Sequence, residues 1–196
     1  MLRADDIPIT GTGNENWTDP ATDQRVAAAL PPGRRPRVFV CAKSVYPLKD
    51  WAPDRFARLI AWLVNDRGCE IHLCDSPANA GYYEEIRAAL PAPLARPWQD
   101  WSQQLSIRES NSLFRRMDLA VGIDTGLLHL AASFHVPVVA LFGPLEPGRW
   151  HPWDTPHTIL RPDDLSGPRP LLRLPVADVQ AAIDGYLAGI APSAAT

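Results

Sequence analysis

The chain has 196 residues, 46% hydrophobic and 21% charged, enough to bury one sizeable core or two small ones, which excludes disorder over most of its length. Nineteen Lys and Arg against 22 Asp and Glu give a net charge of −3 without a long basic block, which excludes a nucleic-acid partner held by its phosphates. No apolar run reaches the roughly 18 residues of a membrane-spanning helix, and Met1 to Asp6 is acidic where a signal peptide is basic and then apolar, so the chain reads as cytoplasmic.

Residues 1–36 read as a leader or linker. A Gly/Thr/Asn stretch from Thr10 to Asn16 leads through an Ala-rich segment, Ala21 to Leu30, with one or two helical turns, into Pro31-Pro32-Gly33-Arg34-Arg35-Pro36. Val38-Phe39-Val40-Cys41 then predicts a short apolar strand. Phe56, Leu59, Ile60, Leu63 and Val64 hold helical spacing behind Pro53, and Gly68 stops that helix. Ile71 to Cys74 predicts a second strand and Tyr82 to Leu90 a second helix; Leu94-Ala95 is the candidate for a third strand. Ser106-Ile107-Arg108-Glu109 has the capping-box pattern and predicts a helix running to Met117. A strand over Leu119–Ile123, a helix over Leu127–Phe134 and a strand over Val136–Phe142 follow, and Val179, Ala182, Ile183, Tyr186, Leu187 and Ile190 give a terminal amphipathic helix before a tail, 191–196.

Apolar strands alternating with amphipathic helices mean an α/β protein: one Rossmann-like domain over 37–190, its parallel sheet covered on both faces. Cys41, Cys69 and Cys74 lie among apolar neighbours and read as small buried hydrophobes, with no disulfide framework and no metal site.

Ligands of such sheets bind beyond the carboxyl ends of the strands, so polar residues between a strand and the next helix are the ones to inspect. Ile123-Asp124-Thr125-Gly126-Leu127-Leu128-His129 stands out. Asp124 ends the strand, Thr125 and Gly126 form the turn, and the unpaired N–H groups of the helix start, Leu127 included, suit an anion such as a diphosphate. Asp124 and Thr125 serve equally well as simple helix caps, and His129 as a core histidine.

Asp124 to Ala132, followed by Val136 to Pro144, resembles the signature of glycosyltransferase family 9, the bacterial ADP-heptose:lipopolysaccharide heptosyltransferases. Lys49-Asp50-Trp51-Ala52-Pro53-Asp54-Arg55-Phe56 is similar to the family's Lys-x-Trp segment, and Ser106 to Ser110 and Arg115 to Asp118 stand where the family has its Leu-x-Glu helix and its approach to the strand. The likeness covers about residues 37–160. It implies the C-terminal, donor-binding half of a GT-B enzyme, in which two Rossmann-like domains face each other across a cleft.

By likeness, Lys49, Thr125 and Gly126 hold the diphosphate of a nucleotide sugar, ADP-heptose being favoured. Asp124 and His129 lie by the phosphates and the transferred sugar as tentative catalytic residues, and Glu84 or Glu85 binds the ribose. Lys43 and Ser44 follow the first strand, but Cys41-Ala42-Lys43-Ser44 departs from the family pattern there. Trp98, Trp101, Trp150 and Trp153 either stack on a base or sugar or pack over the domain edge.

The resemblance implies metal-independent transfer without a cofactor. The acceptor domain, which supplies the main base, has no counterpart in residues 1–36, where Asp5 and Asp6 are poor candidates, so a separate acceptor-binding half is the expected partner. Membrane contact is at most peripheral, at the inner face of the bacterial inner membrane. The competing readings are a nucleotide-sugar-binding module without catalysis and another GT-B relative such as a sugar-nucleotide epimerase.

Overall fold

The computed structural model describes residues 13–14, 16–31 and 35–190. Asp5, Asp6, the rest of residues 1–12 and the tail 191–196 lie outside the described residues.

Six parallel strands form one sheet: β1 (Arg37–Cys41), β2 (Glu70–Leu73), β3 (Gln99–Asp100), β4 (Leu119–Ile123), β5 (Val138–Leu141) and β6 (His157–Leu160). Their order, β3-β2-β1-β4-β5-β6, is that of a Rossmann fold, with the chain reversing direction across the sheet between β1 and β4. Alternation along β1 divides the core. Val38 and Val40 pack with α2 (Pro53–Asn65) and the terminal α7 (Val176–Leu187), whereas Phe39 and Cys41 face the layer holding Leu113, Phe114 and Leu128. Among the described residues no helix is long and apolar enough to cross a membrane.

The first layer is the better announced in the sequence. Pro53 opens α2 at a position where its missing N–H costs nothing, and the helix buries Phe56, Leu59, Ile60 and Leu63. Gly68, with φ at 68°, turns the chain into β2.

Several expectations are corrected. The Ala-rich segment is a ten-residue helix, α1 (Pro20–Ala29), capped by Asp19 and part of the packed body. Its Val26 is fully buried, and Asp23 pairs with Arg115 and Arg116. The third strand is Gln99–Asp100, not Leu94-Ala95. Prolines at 93 and 97 confine Leu94-Ala95, and Arg96 is tied to the carbonyls of Gly68 and Cys69, so pairing with β2 begins only beyond the second proline. The Ser106–Glu109 capping box forms, with Ser106 N–H donating to Glu109 and Glu109 N–H to Ser106 Oγ. It opens a run of turns, however, and only Asn111–Phe114 is helical, as α4. The strand β6 and the short α6 (Pro147–Trp150) had no apolar period to announce them.

Candidate functional site

At the carboxyl ends of β1, β2 and β4 the loops part around an open cleft. It has two adjoining hollows of about 710 and 600 Å³, both bordered by Tyr46, Lys49, Asp124, Thr125, Gly126 and His129.

Asp124 is the residue that joins these elements. It follows β4, is 6% exposed, and accepts from Lys49 Nζ at 2.7 Å through one carboxylate oxygen. Its other oxygen lies 3.2 Å from His129 Nε2, and Lys49 also donates to its backbone carbonyl at 3.1 Å. Burial pushes the Asp124 carboxyl up, but the hydrogen bonds and charges of His129 and Lys49 outweigh it and hold the group below its ordinary value. Asp124 therefore stays ionised and fixes one ammonium and one imidazole at the cleft.

The helix α5 (Gly126–Ser133) starts beside this cluster. Thr125 occupies the cap position in extended conformation without bonding the helix through its side chain, and Asp124 is engaged elsewhere, which disposes of the simple capping reading. A helix leaves its first N–H groups without intrahelical partners, and their dipoles favour an anion. A Cβ built on Gly126 meets nothing within 4 Å, so this stretch of cleft wall is bare backbone open to a guest.

Eight of the ten residues singled out in the sequence line the larger hollow: Lys43, Ser44, Lys49, Asp124, Thr125, Gly126, Leu127 and His129. Lys43 is already paired, donating to the buried Asp50 at 2.6 Å and to the Ser44 carbonyl at 2.9 Å. Glu84 and Glu85 are not brought in. They are exposed on α3 (Ala80–Ala88), where Glu84 pairs with Arg87, and they line neither hollow.

Besides Asp124, the acidic residue that does line the cleft is Asp75, two residues past the end of β2, with Ser76 and Asn79 beside it. The rule that found Asp124, a polar residue at a strand's end, applies to Asp75 as well. Its carboxylate accepts from Ser76 N–H, Asn79 Nδ2 and the Tyr83 hydroxyl. The tryptophans divide. Trp98 and Trp101 are buried, whereas Trp150 lines the smaller hollow with Leu48, Pro144 and Leu145, and Trp153 is exposed outside it.

A sequence model of glycosyltransferase family 9 (heptosyltransferase) matches residues 6–168. The chain belongs to this family. Lipooligosaccharide heptosyltransferase 2 of Haemophilus influenzae is 31% identical over 130 residues, which are 66% of this chain and 37% of that protein. The match thus spans little more than a third of that family member's length. The structure of E. coli ADP-heptose LPS heptosyltransferase II shares the fold with a TM-score of 0.79 at 21% identity, covering 95% of this chain and 57% of its own.

A more distant family fold is that of TibC from enterotoxigenic E. coli, a dodecameric iron-containing heptosyltransferase solved in complex with ADP-D-β-D-heptose (TM-score 0.59, 19% identity, 84% and 48% covered). Among the described residues here, no group of three or more His, Cys, Asp or Glu could hold a metal ion.

Proposed function

We propose that this domain is the donor-binding half of a heptosyltransferase, holding a nucleoside-diphosphate sugar, with ADP-heptose favoured, for transfer to a lipopolysaccharide-type acceptor. The observation that carries the reading is the pairing of Lys49 with the bare-backbone start of α5 in one cleft. A point charge and converging N–H dipoles are what a diphosphate needs on leaving. That the related TibC was solved with ADP-D-β-D-heptose supports the choice of donor.

In this reading the acceptor oxygen attacks the anomeric carbon and the bond to the diphosphate breaks with its electron pair going to the diphosphate oxygen. Lys49 and the amides of Gly126 and Leu127 stabilise that charge. Asp124 positions Lys49 and His129, and because they hold its carboxyl below the ordinary value it is a weak base for the acceptor proton. Asp75, in the loop just past β2 where Rossmann domains place a ribose-binding acid, assumes the role expected of Glu84 or Glu85.

The base comes from an acceptor-binding half. Five large apolar side chains, Val45, Tyr46, Leu48, Ile107 and Trp150, stand at least 49% exposed around the cleft mouth, and such a patch suits a surface that another domain covers.

The test is calorimetric titration of ADP and of adenosine into the chain and into Lys49→Ala. ADP should bind in the micromolar range, about 8 kcal/mol. Lys49→Ala should weaken ADP more than adenosine, because a point charge acts on phosphates and not on a base. Added salt should narrow the gap. Equal losses for the two ligands would refute the diphosphate assignment.

A further inference from the structure

Beneath the start of α5 lies a contact that the donor-site reading leaves unused. Cys41, the last residue of β1, is 1% exposed, and its Sγ stands 3.0 Å from Thr125 Oγ1. The backbone arranges this meeting. Cys41 is the register partner of Gly122 on β4, and a Cβ built on Gly122 would lie 2.0 Å from the Cys41 carbonyl oxygen. Only glycine lets β1 come this close, and the closeness brings the thiol under the turn that carries Thr125.

We propose that Cys41 is a positioning residue for the diphosphate: its S–H donates to Thr125 Oγ1 and so leaves the Thr125 hydroxyl proton directed into the cleft, toward a phosphate oxygen. A hydroxyl has one proton and two lone pairs, so a thiol filling one lone pair leaves that proton for the ligand. Without such a donor the hydroxyl is free to rotate, since Thr125 makes no side-chain bond to its own helix. The thiol keeps its proton for this task, because burial pushes the Cys41 group up to about 12. A valine or alanine there would fill space and direct nothing, whereas serine would still donate.

The inference rests on Thr125 meeting a phosphate, and the experiment separates the two claims. ADP and adenosine are titrated calorimetrically into the unaltered chain, Cys41→Val, Cys41→Ala, Cys41→Ser, Thr125→Val and the Cys41→Val/Thr125→Val double variant. Loss of the neutral hydrogen bond that orients the Thr125 hydroxyl should weaken ADP about threefold to tenfold in Cys41→Val and Cys41→Ala, with adenosine unchanged. Cys41→Ser should bind ADP like the unaltered chain, and the double variant no more weakly than Thr125→Val alone.

A purely structural cysteine would affect ADP and adenosine alike, and its loss would add to that of Thr125→Val; either result overturns the proposal. If Thr125→Val weakens ADP while Cys41→Val and Cys41→Ala do not, the role of Cys41 falls and the phosphate site stands. If Thr125→Val leaves ADP unchanged, both fall.

Discussion

Gly126 and Gly122 lie four residues apart and do opposite work. At Gly126 an added methyl touches no protein atom, so Gly126→Ala should leave the melting temperature within about 2 °C, a shift worth about 0.5–1 kcal/mol in a chain of this size. Combined with Thr125→Val, it should weaken nucleoside diphosphate binding by about 1–3 kcal/mol, read by calorimetry. At Gly122 the same methyl collides with the backbone of β1. Gly122→Ala should therefore destabilise the fold by about 3 kcal/mol or more, seen as a lowered midpoint in urea, whether or not ligand is present.

The sequence distinguishes these glycines poorly, since both lie within three residues of the end of β4. What was legible at this scale was chemical type at a strand's end, which found Asp124, Thr125, Lys43 and Ser44. What was hidden was pairing across the sheet. Lys43 is committed to Asp50 and Cys41 to Thr125, and those partners depend on register and side-chain reach that no local pattern records.

Elements with a strong period, β1, α2, β2, β4, β5 and α7, were legible because each buries a continuous apolar face. Those that depend on neighbours were not. The strand β3 is a Gln-Asp pair held in place by β2 and by the buried Trp98 and Trp101 on either side, and His157 and Thr158 disguise β6. The helix α1 looked like linker because alanines give little amphipathic signal, yet Val26 and Leu30 join the core beside Leu113 and Phe114. Val26→Ala should cost about 2 kcal/mol by chemical denaturation. A linker residue would cost nothing measurable, so the result decides whether α1 is part of the folding unit.

The whole molecule should respond to acid in two steps. His72 is fully buried beside Trp101, whose indole N–H donates to its Nδ1 at 3.3 Å. Burial, with the charge of Arg37, pushes its imidazole from 6.5 down to about 4. Between those values the unfolded chain binds a proton that the folded chain refuses, so stability falls with pH across this window, by up to about 3 kcal/mol, and His72→Leu should flatten that slope. Below it, Asp124 acts in the same direction. Its folded carboxyl titrates lower than its unfolded one, so what the Lys49–Asp124–His129 cluster contributes is present above about pH 4 and lost as acid protonates it. Asp124→Asn should reduce that second loss, to which Asp19, Asp23, Glu109, Asp164 and Asp184 also contribute through their own lowered carboxyls, and leave the first.

The claim on which the account turns is that a diphosphate sits on the start of α5, and chemical-shift mapping of the ¹⁵N-labelled chain during titration with ADP tests it most directly. The amides of Gly126 and Leu127 should show the largest saturable shifts, adenosine should leave them nearly unmoved, and Lys49→Ala should require more ADP for the same change. Saturable shifts confined to another edge of the sheet, or none at these two amides when ADP is in millimolar excess, would contradict it.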